Sequence, residues 1–153
     1  MKTPLGKKNK KYVQGIFNPK NPQKYKGSIP IIFRSRLELL SMRYLDNNPN
    51  ILTWGSESVV VPYQSPVDGK IHRYFVDLVA ALKSKDGKIK KLLIEVKPER
   101  QTRPPEISSR KKQKTMLYEK YQWALNQAKW DAARAWANSK GYIFIILNEK
   151  HLK

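Results

Sequence analysis

Residues 75–77, Phe-Val-Asp, and residues 93–97, Leu-Ile-Glu-Val-Lys, place ionisable side chains inside two apolar runs that have the character of β-strands. With the strand period of two, Glu95 and Lys97 point to the same face of their run. A buried charge costs free energy unless it is paired or serves a function. We therefore expect the chemistry of this chain to lie where these two runs meet.

The segment between the runs, residues 84–88, contains an Asp-Gly pair that predicts a β-hairpin, since glycine readily adopts the positive φ of a tight turn. A three-residue loop, 85–87, sets Asp77 directly opposite Glu95, whereas a two-residue loop sets Val96 there instead. In the first register the two Cβ atoms are roughly 4.5–5.5 Å apart, and the carboxylates repel unless a cation lies between them. Mg²⁺ takes one or two carboxylates with waters and substrate phosphates, so this register indicates metal-assisted phosphodiester chemistry.

The composition indicates one globular domain that binds a polyanion. The 153 residues include 31 Lys and Arg against 12 Asp and Glu, a formal net charge of +19, and 40% of them are hydrophobic. No apolar run approaches the roughly 20 residues of a membrane span, and the absence of cysteine excludes disulfides and thiolate metal sites. We therefore expect a polyanion as the partner, and neither a membrane nor a small-molecule substrate.

Residues 1–30 are predicted to form a basic, partly disordered N-terminal arm, and residues 31–153 to form the folded domain. The arm contains no acidic residue, and Tyr12, Phe17 and Tyr25 interrupt its basic residues. These aromatic side chains either stack on bases or dock the arm onto the domain. Their wide spacing favours docking, because three separated rings do not define a stacking platform.

The other elements are predicted in the order helix, three strands, helix, strand. Ser35, with an acidic residue three positions on, has the pattern of a capping box and begins the first helix. Residues 51–63 and 71–82 are predicted to be continuous strands, and 142–147 a buried one. A long helix over 112–139 is predicted to end at Gly141 and to pack its tryptophans on the sheet. Its predicted apolar face comprises Leu117, Tyr121, Ala124, Ala128, Ala132 and Ala135.

These patterns resemble the TnsA-like nucleases of the PD-(D/E)xK superfamily, and among them the nucleases of tailed-phage head completion. The resemblance extends from about residue 12 to residue 149, and Val76 stands where the motif has proline. The segments that carry it are Phe-Arg-Ser-Arg-Leu-Glu at 33–38, Asn-Ile-Leu-Thr-Trp-Gly-Ser-Glu at 50–57, Val-Pro-Tyr at 61–63, Asp-Gly-Lys-Ile-His-Arg-Tyr at 68–74, and Glu-Val-Lys-Pro at 95–98. It implies an α/β, restriction-endonuclease-like core of order α-β-β-β-α-β, a mixed sheet flanked by helices.

The resemblance also implies a catalytic site and its cofactor. Asp77, Glu95 and the backbone carbonyl of Val96 are expected to bind Mg²⁺, with Mn²⁺ able to substitute, and Lys97 to orient or help deprotonate the attacking water. Glu38 stands where the family carries a helical acidic residue that completes the metal site. Its alternative role is only to return a hydrogen bond to the helix cap.

Basic residues near the site are predicted to hold the DNA backbone and to give salt-dependent, largely sequence-independent affinity. Arg73 shares the face of Asp77 in an unbroken strand and is the leading candidate for a phosphate contact. The predicted set is Arg34, Arg36, Arg73, Arg100, Arg103, Arg110, Lys111 and Lys112. Glu57 is either a further site carboxylate or an exposed residue, His72 is structural or a phosphate contact, and the role of Gln101 stays open.

The leading hypothesis is a divalent-metal-dependent DNA endonuclease. The resemblance adds a setting, the processing of packaged DNA ends before tail joining, in the host cell cytoplasm during phage assembly or on the virion. Portal or other head-completion proteins are the expected protein partners. The alternative is a non-catalytic DNA-binding structural protein of head completion. Facing carboxylates favour the nuclease, because without a metal they repel phosphate.

Overall fold

The computed structural model describes residues 14–152, so Tyr12 and the rest of residues 1–13 lie outside it. The strands are β1 (Gly15–Phe17), β2 (Ile31–Phe33), β3 (Ile51–Ser56), β4 (Val60–Gln64), β5 (Ile71–Phe75), β6 (Leu78–Lys83), β7 (Ile89–Val96) and β8 (Tyr142–Leu147). The helices are α1 (Arg36–Asn47) and α2 (Gln113–Lys140), with 3-10 turns at Pro22–Lys24, Glu99–Thr102 and Glu149–Leu152. Within the described residues, no helix is long and apolar enough to cross a membrane.

The central sheet has the order β3-β6-β7-β8 and is mixed, because β8 runs parallel to β7 while the other neighbours are antiparallel. The two long helices pack on opposite faces of it, since adjacent residues of β7 point to opposite sides. Met42 and Leu45 of α1 pack with Ile94, whereas Trp130 of α2 packs with Leu93. The prediction of a mixed sheet flanked by helices is confirmed.

The predicted continuous strands over 51–63 and 71–82 are wrong, because each is broken in the middle. Their outer halves leave the central sheet and pair with each other as an antiparallel ribbon of β4 and β5. At the first break Glu57 has φ 53°, and its N–H donates to the carbonyl oxygen of Asp77 at 3.0 Å. As a ribbon, the two segments bury Tyr63 and Tyr74 in the core cluster that contains Trp130 of α2.

The helix termini are confirmed, but the predicted apolar face of α2 is confirmed only at Ala128 and Ala132. The Ser35 hydroxyl accepts the N–H of Glu38 at 3.0 Å and caps α1, and Gly141, at φ 77°, ends α2. The predicted tryptophan packing is confirmed, with Trp130 fully buried. By contrast, Leu117 and Tyr121 are half-exposed, because the first ten residues of α2 extend beyond the elements on which the rest of the helix packs.

Residues 14–30 pack against the domain through aromatic and polar contacts. Phe17 and Tyr25 lie edge-on to Trp54, with ring centroids 5.7 and 4.8 Å away, so the predicted docking of these two side chains is confirmed. The Lys24 ammonium donates to three carbonyl oxygens at the end of α1, at 2.7–3.0 Å. This cation satisfies backbone groups that a helix C-terminus leaves without intrahelical partners.

Candidate active site

The hairpin of β6 and β7 has the register that brings the two carboxylates together. Leu78 pairs with Ile94, and the N–H of Ser84 donates to the carbonyl of Lys88 at 2.8 Å, which leaves the three-residue loop 85–87. One step beyond the pair of Leu78 and Ile94, Asp77 faces Glu95. The predicted three-residue loop is therefore confirmed, and with it the opposition of the two side chains.

Each carboxylate is held by a donor on one of its oxygens. The Val96 N–H donates to Asp77 Oδ2 at 2.7 Å, and the Tyr74 hydroxyl donates to Glu95 Oε1 at 2.5 Å. Lys97 Nζ lies 3.7 Å from Glu95 Oε2. Both carboxylates are thereby fixed in orientation, and a cation lies beside the second oxygen of Glu95.

The electrostatics of the pair follow from burial and from like charge. Burial, reinforced by the charge of Glu95, raises the pKa of Asp77 well above its usual range. Burial and the same negative charge raise the pKa of Tyr74, so its hydroxyl stays protonated and acts as a donor. When both are ionised, the carboxylates of Asp77 and Glu95 therefore repel each other, and a bound cation would relieve this repulsion.

Glu38 lies at the N-terminus of α1, close enough for its charge to act on Asp77. Its Oε1 accepts the N–H of Arg34 at 2.9 Å, one residue before the position that a capping box uses. Burial raises the pKa of Glu38, and the charges of Glu57 and Glu95 add to the effect. The structure thus places Glu38 beside the pair and also gives it a hydrogen bond at the helix terminus.

Tyr74 is the contact of Glu95 that the sequence pattern missed. With a strand period of two, Tyr74 lies on the face opposite Asp77, but the chain turns between β5 and β6 and reverses that relation. No glycine or proline lies in residues 71–82 to mark this break, so the sequence pattern does not show it. On α2, Lys129 Nζ lies 5.6 Å from the centroid of the Tyr74 ring.

The same break separates Arg73 from the pair, so the predicted shared face of Arg73 and Asp77 is wrong. Arg73 lies on the exposed outer face of β5, with its guanidinium 5.4 Å from the centroid of the Phe75 ring. His72 pairs with Asp68 at 2.8 Å. These two basic side chains therefore belong to the β4–β5 ribbon and not to the face that carries Asp77.

The other residues predicted to contact DNA differ in exposure and in ion pairing. Arg100 and Gln101 are exposed on the 3-10 turn that follows β7, and Arg103, exposed just after the turn, lies 3.1 Å from Glu99. Arg34 pairs with the exposed Glu57 at 2.7 Å, and Lys111 with Glu119 at 2.8 Å. Arg36, Arg110 and Lys112 are exposed.

The donor set of the pair fits a hard divalent cation. In residues 14–152 no group of three or more His, Cys, Asp and Glu side chains is arranged to hold a metal ion. Mg²⁺ commonly uses only one or two protein carboxylates and completes its shell with water and substrate oxygens. Asp77 and Glu95 supply two oxygen donors whose mutual repulsion favours a cation between them. The residues present therefore fit Mg²⁺ or Mn²⁺.

Sequence comparison defines the class of protein. Residues 48–149, which contain the central sheet, the facing carboxylates and α2, match the TnsA-like endonuclease N terminal domain. The chain belongs to the TnsA-like endonuclease family, as the sequence pattern predicted, and this family implies the restriction-endonuclease-like fold.

Similarity to one named protein gives a more specific relationship than the family match. The chain is 38% identical over 144 residues to the head completion nuclease of Enterobacteria phage T4, an alignment that covers 91% of this chain and 93% of that protein. The chain is therefore a homologue of a phage head completion nuclease. No solved structure matches it.

Proposed function

We propose that this protein is a divalent-metal-dependent DNA endonuclease whose catalytic residues are Asp77, Glu95 and Lys97, with Glu38 in support. The observation that carries the proposal is the opposition of Asp77 and Glu95 across the hairpin, with Lys97 Nζ 3.7 Å from Glu95. A purely structural DNA-binding protein gains nothing from two facing carboxylates beside a basic surface, because they weaken its hold on phosphate.

Asp77, Glu95 and the backbone carbonyl of Val96 would hold Mg²⁺, or Mn²⁺ in its place. When bound, the cation supplies Lewis-acid stabilisation of the charge that develops on the phosphate oxygens. The Val96 N–H and the Tyr74 hydroxyl each occupy one carboxylate oxygen, so the ligands to the cation would be Asp77 Oδ1 and Glu95 Oε2, the latter beside Lys97. Lys97, on the same face as Glu95, orients the attacking water and favours its deprotonated form.

DNA binding would rest on the excess of 31 basic over 12 acidic side chains. Contacts with phosphate carry no sequence information and release counterions, so affinity should fall steeply with salt and cleavage should show little sequence preference. The side chains proposed to make these contacts are Arg34, Arg36, Arg73, Arg100, Arg103, Arg110, Lys111 and Lys112. Duplex DNA is the substrate that this surface fits.

The biological setting rests on the relative named for head completion in phage T4. We propose that the protein acts at the end of DNA packaging, where it would process the DNA end before the tail joins. It would act in the host cell cytoplasm during assembly, or on the virion, next to the portal or other head-completion proteins.

Cleavage of linear and circular duplex DNA at low salt, with Mg²⁺ or Mn²⁺, tests the proposal. Wild type is compared with Asp77→Ala, Glu95→Ala and the matched surface variant Asp131→Ala, after circular dichroism has confirmed folding and a mobility shift has confirmed DNA binding. Cutting by wild type and Asp131→Ala alone, abolished by a chelator, supports the nuclease. Binding without cutting by wild type, or equal cutting by all four proteins, would favour the structural alternative.

A further inference from the structure

Helix α2 extends past the candidate active site. Its C-terminal end lies at the start of β8, where the rings of Trp136 and Tyr142 are 5.1 Å apart. Seven residues earlier, Lys129 lies over Tyr74, whose hydroxyl contacts Glu95. The helix therefore runs towards the site, and its residues before Lys129 add about 24 Å at 1.5 Å per residue.

The first part of α2 contributes no residue to either core cluster. Trp123 is the first α2 residue that packs against the core cluster around Trp130. Together with the loop that leads into the helix, the preceding residues form what we call the α2 arm, residues 110–121. No residue of this arm belongs to a core cluster, so burial in the core does not explain why the arm carries these side chains.

The α2 arm combines exposed rings with positive charge. Tyr118 and Tyr121 are 64% and 52% exposed, and their spacing places them on one side of the helix. The cations of the arm are Arg110, Lys111, Lys112, Lys114 and Lys120. Its one carboxylate, Glu119, is paired with Lys111 at 2.8 Å. The arm therefore presents flat aromatic surface within a strongly positive field.

This combination fits unpaired nucleotides better than a continuous duplex. Lysines match phosphates in either form, but the faces of duplex bases are stacked on one another and cannot meet a tyrosine ring. Unpaired bases stack on aromatic side chains while basic residues follow their backbone. An apolar protein partner would instead have to accept five cations in its interface, whereas interface cores are depleted of charge.

We propose that the α2 arm binds an unpaired DNA strand, with Tyr118 and Tyr121 stacking on bases and Lys114 and Lys120 holding phosphates. Since the arm extends past the proposed catalytic site, this contact would direct cleavage to ends and branches that carry unpaired nucleotides. The binding part of the proposal is independent of catalysis, and the cleavage part rests on the proposed function.

Binding is measured by fluorescence anisotropy with the full chain in EDTA, so that no cleavage occurs. The probes are a blunt duplex and the same duplex with a tail of about ten unpaired nucleotides. Wild type should bind the tailed probe more tightly. Tyr118→Ala and Tyr121→Ala should each lose about tenfold on the tailed probe and less than about twofold on the blunt one. Tyr→Phe at the same positions should retain the preference, because the ring remains.

Two matched variants separate the arm from general effects. Tyr44→Ala removes a half-exposed tyrosine from α1 and should bind both probes like wild type. Lys140→Gln removes a cation from the opposite end of the same helix, and its loss on the tailed probe should be smaller than that of Lys114→Gln. Circular dichroism confirms that each variant is folded.

An equal loss on both probes in the alanine variants would overturn the proposal, since the arm would then recognise phosphate alone. An unchanged affinity for the tailed probe would overturn it as well. Where wild type cuts, the cleavage positions on the tailed duplex should cluster near the junction, and Tyr118→Ala should spread them. Failure of cleavage with an intact binding preference would refute the nuclease and leave the binding site standing.

Discussion

Replacement of Asp77 by asparagine should abolish cleavage and yet stabilise the metal-free protein. The amide keeps an oxygen that can accept the Val96 N–H, and its NH₂ group can donate to Glu95, so a repulsion becomes a hydrogen bond. The prediction is specific to a site built for a cation, because an ordinary buried aspartate with satisfied partners would lose stability on this change.

The size of the expected stabilisation follows from the hairpin register, which sets the distance between the two facing residues. Facing carboxylates about 5 Å apart, at an effective dielectric constant of about 20, repel by about 3 kcal/mol. Because burial and Glu95 raise the pKa of Asp77, the folded protein keeps a proton that the unfolded chain releases near pH 4. Wild-type stability therefore falls as the pH rises from about 4 through the raised pKa of Asp77. The gain from Asp77→Asn should be small near pH 4 and approach about 3 kcal/mol at alkaline pH.

The assay is thermal unfolding in EDTA across this pH range, followed by circular dichroism. For a domain of this size the full gain corresponds to a rise in Tm of roughly 6–12 °C. Asp131→Asn, an exposed carboxylate on α2, is the control and should change Tm little at any pH. Destabilisation by Asp77→Asn at every pH, or a gain that does not depend on pH, would refute the reasoning.

Three further substitutions test other contacts. Tyr74→Phe removes the donor to Glu95 and should weaken Mn²⁺ binding by about tenfold in a calorimetric titration; an unchanged affinity would show that Tyr74 does not position the carboxylate. Ser35→Ala should lower the free energy of unfolding by about 1 kcal/mol in a urea titration, since α1 loses its N-cap, and an unaltered midpoint would contradict this. Lys24→Met should cost about 2 kcal/mol in the same titration, because three carbonyls at the end of α1 lose a charged donor and only those of Asp46 and Asn48 have a second one, from Asn21 and Ile51; Lys26→Met should cost little, and equal effects would argue against the cap.

The sequence by itself determined the helix ends, the hairpin and the family. Ser35 and Gly141 specify helix ends because capping depends on a few neighbouring residues. The Asp-Gly pair predicted a hairpin but left a two-residue and a three-residue loop open, and the structure has the three-residue loop that sets Asp77 opposite Glu95. The motif spacing also gave the family, because the segments around it occur in a characteristic order.

Only the tertiary structure decided which side chains surround that pair. The chain turns between β5 and β6, which moved Arg73 away from the pair and brought Tyr74 to Glu95. Residues 71–82 contain no glycine or proline, so the sequence could not show the break. Instead of lengthening the central sheet, β4 and β5 pair with each other and pack Tyr63 and Tyr74 against α2, and contacts between segments so far apart in sequence depend on the whole fold.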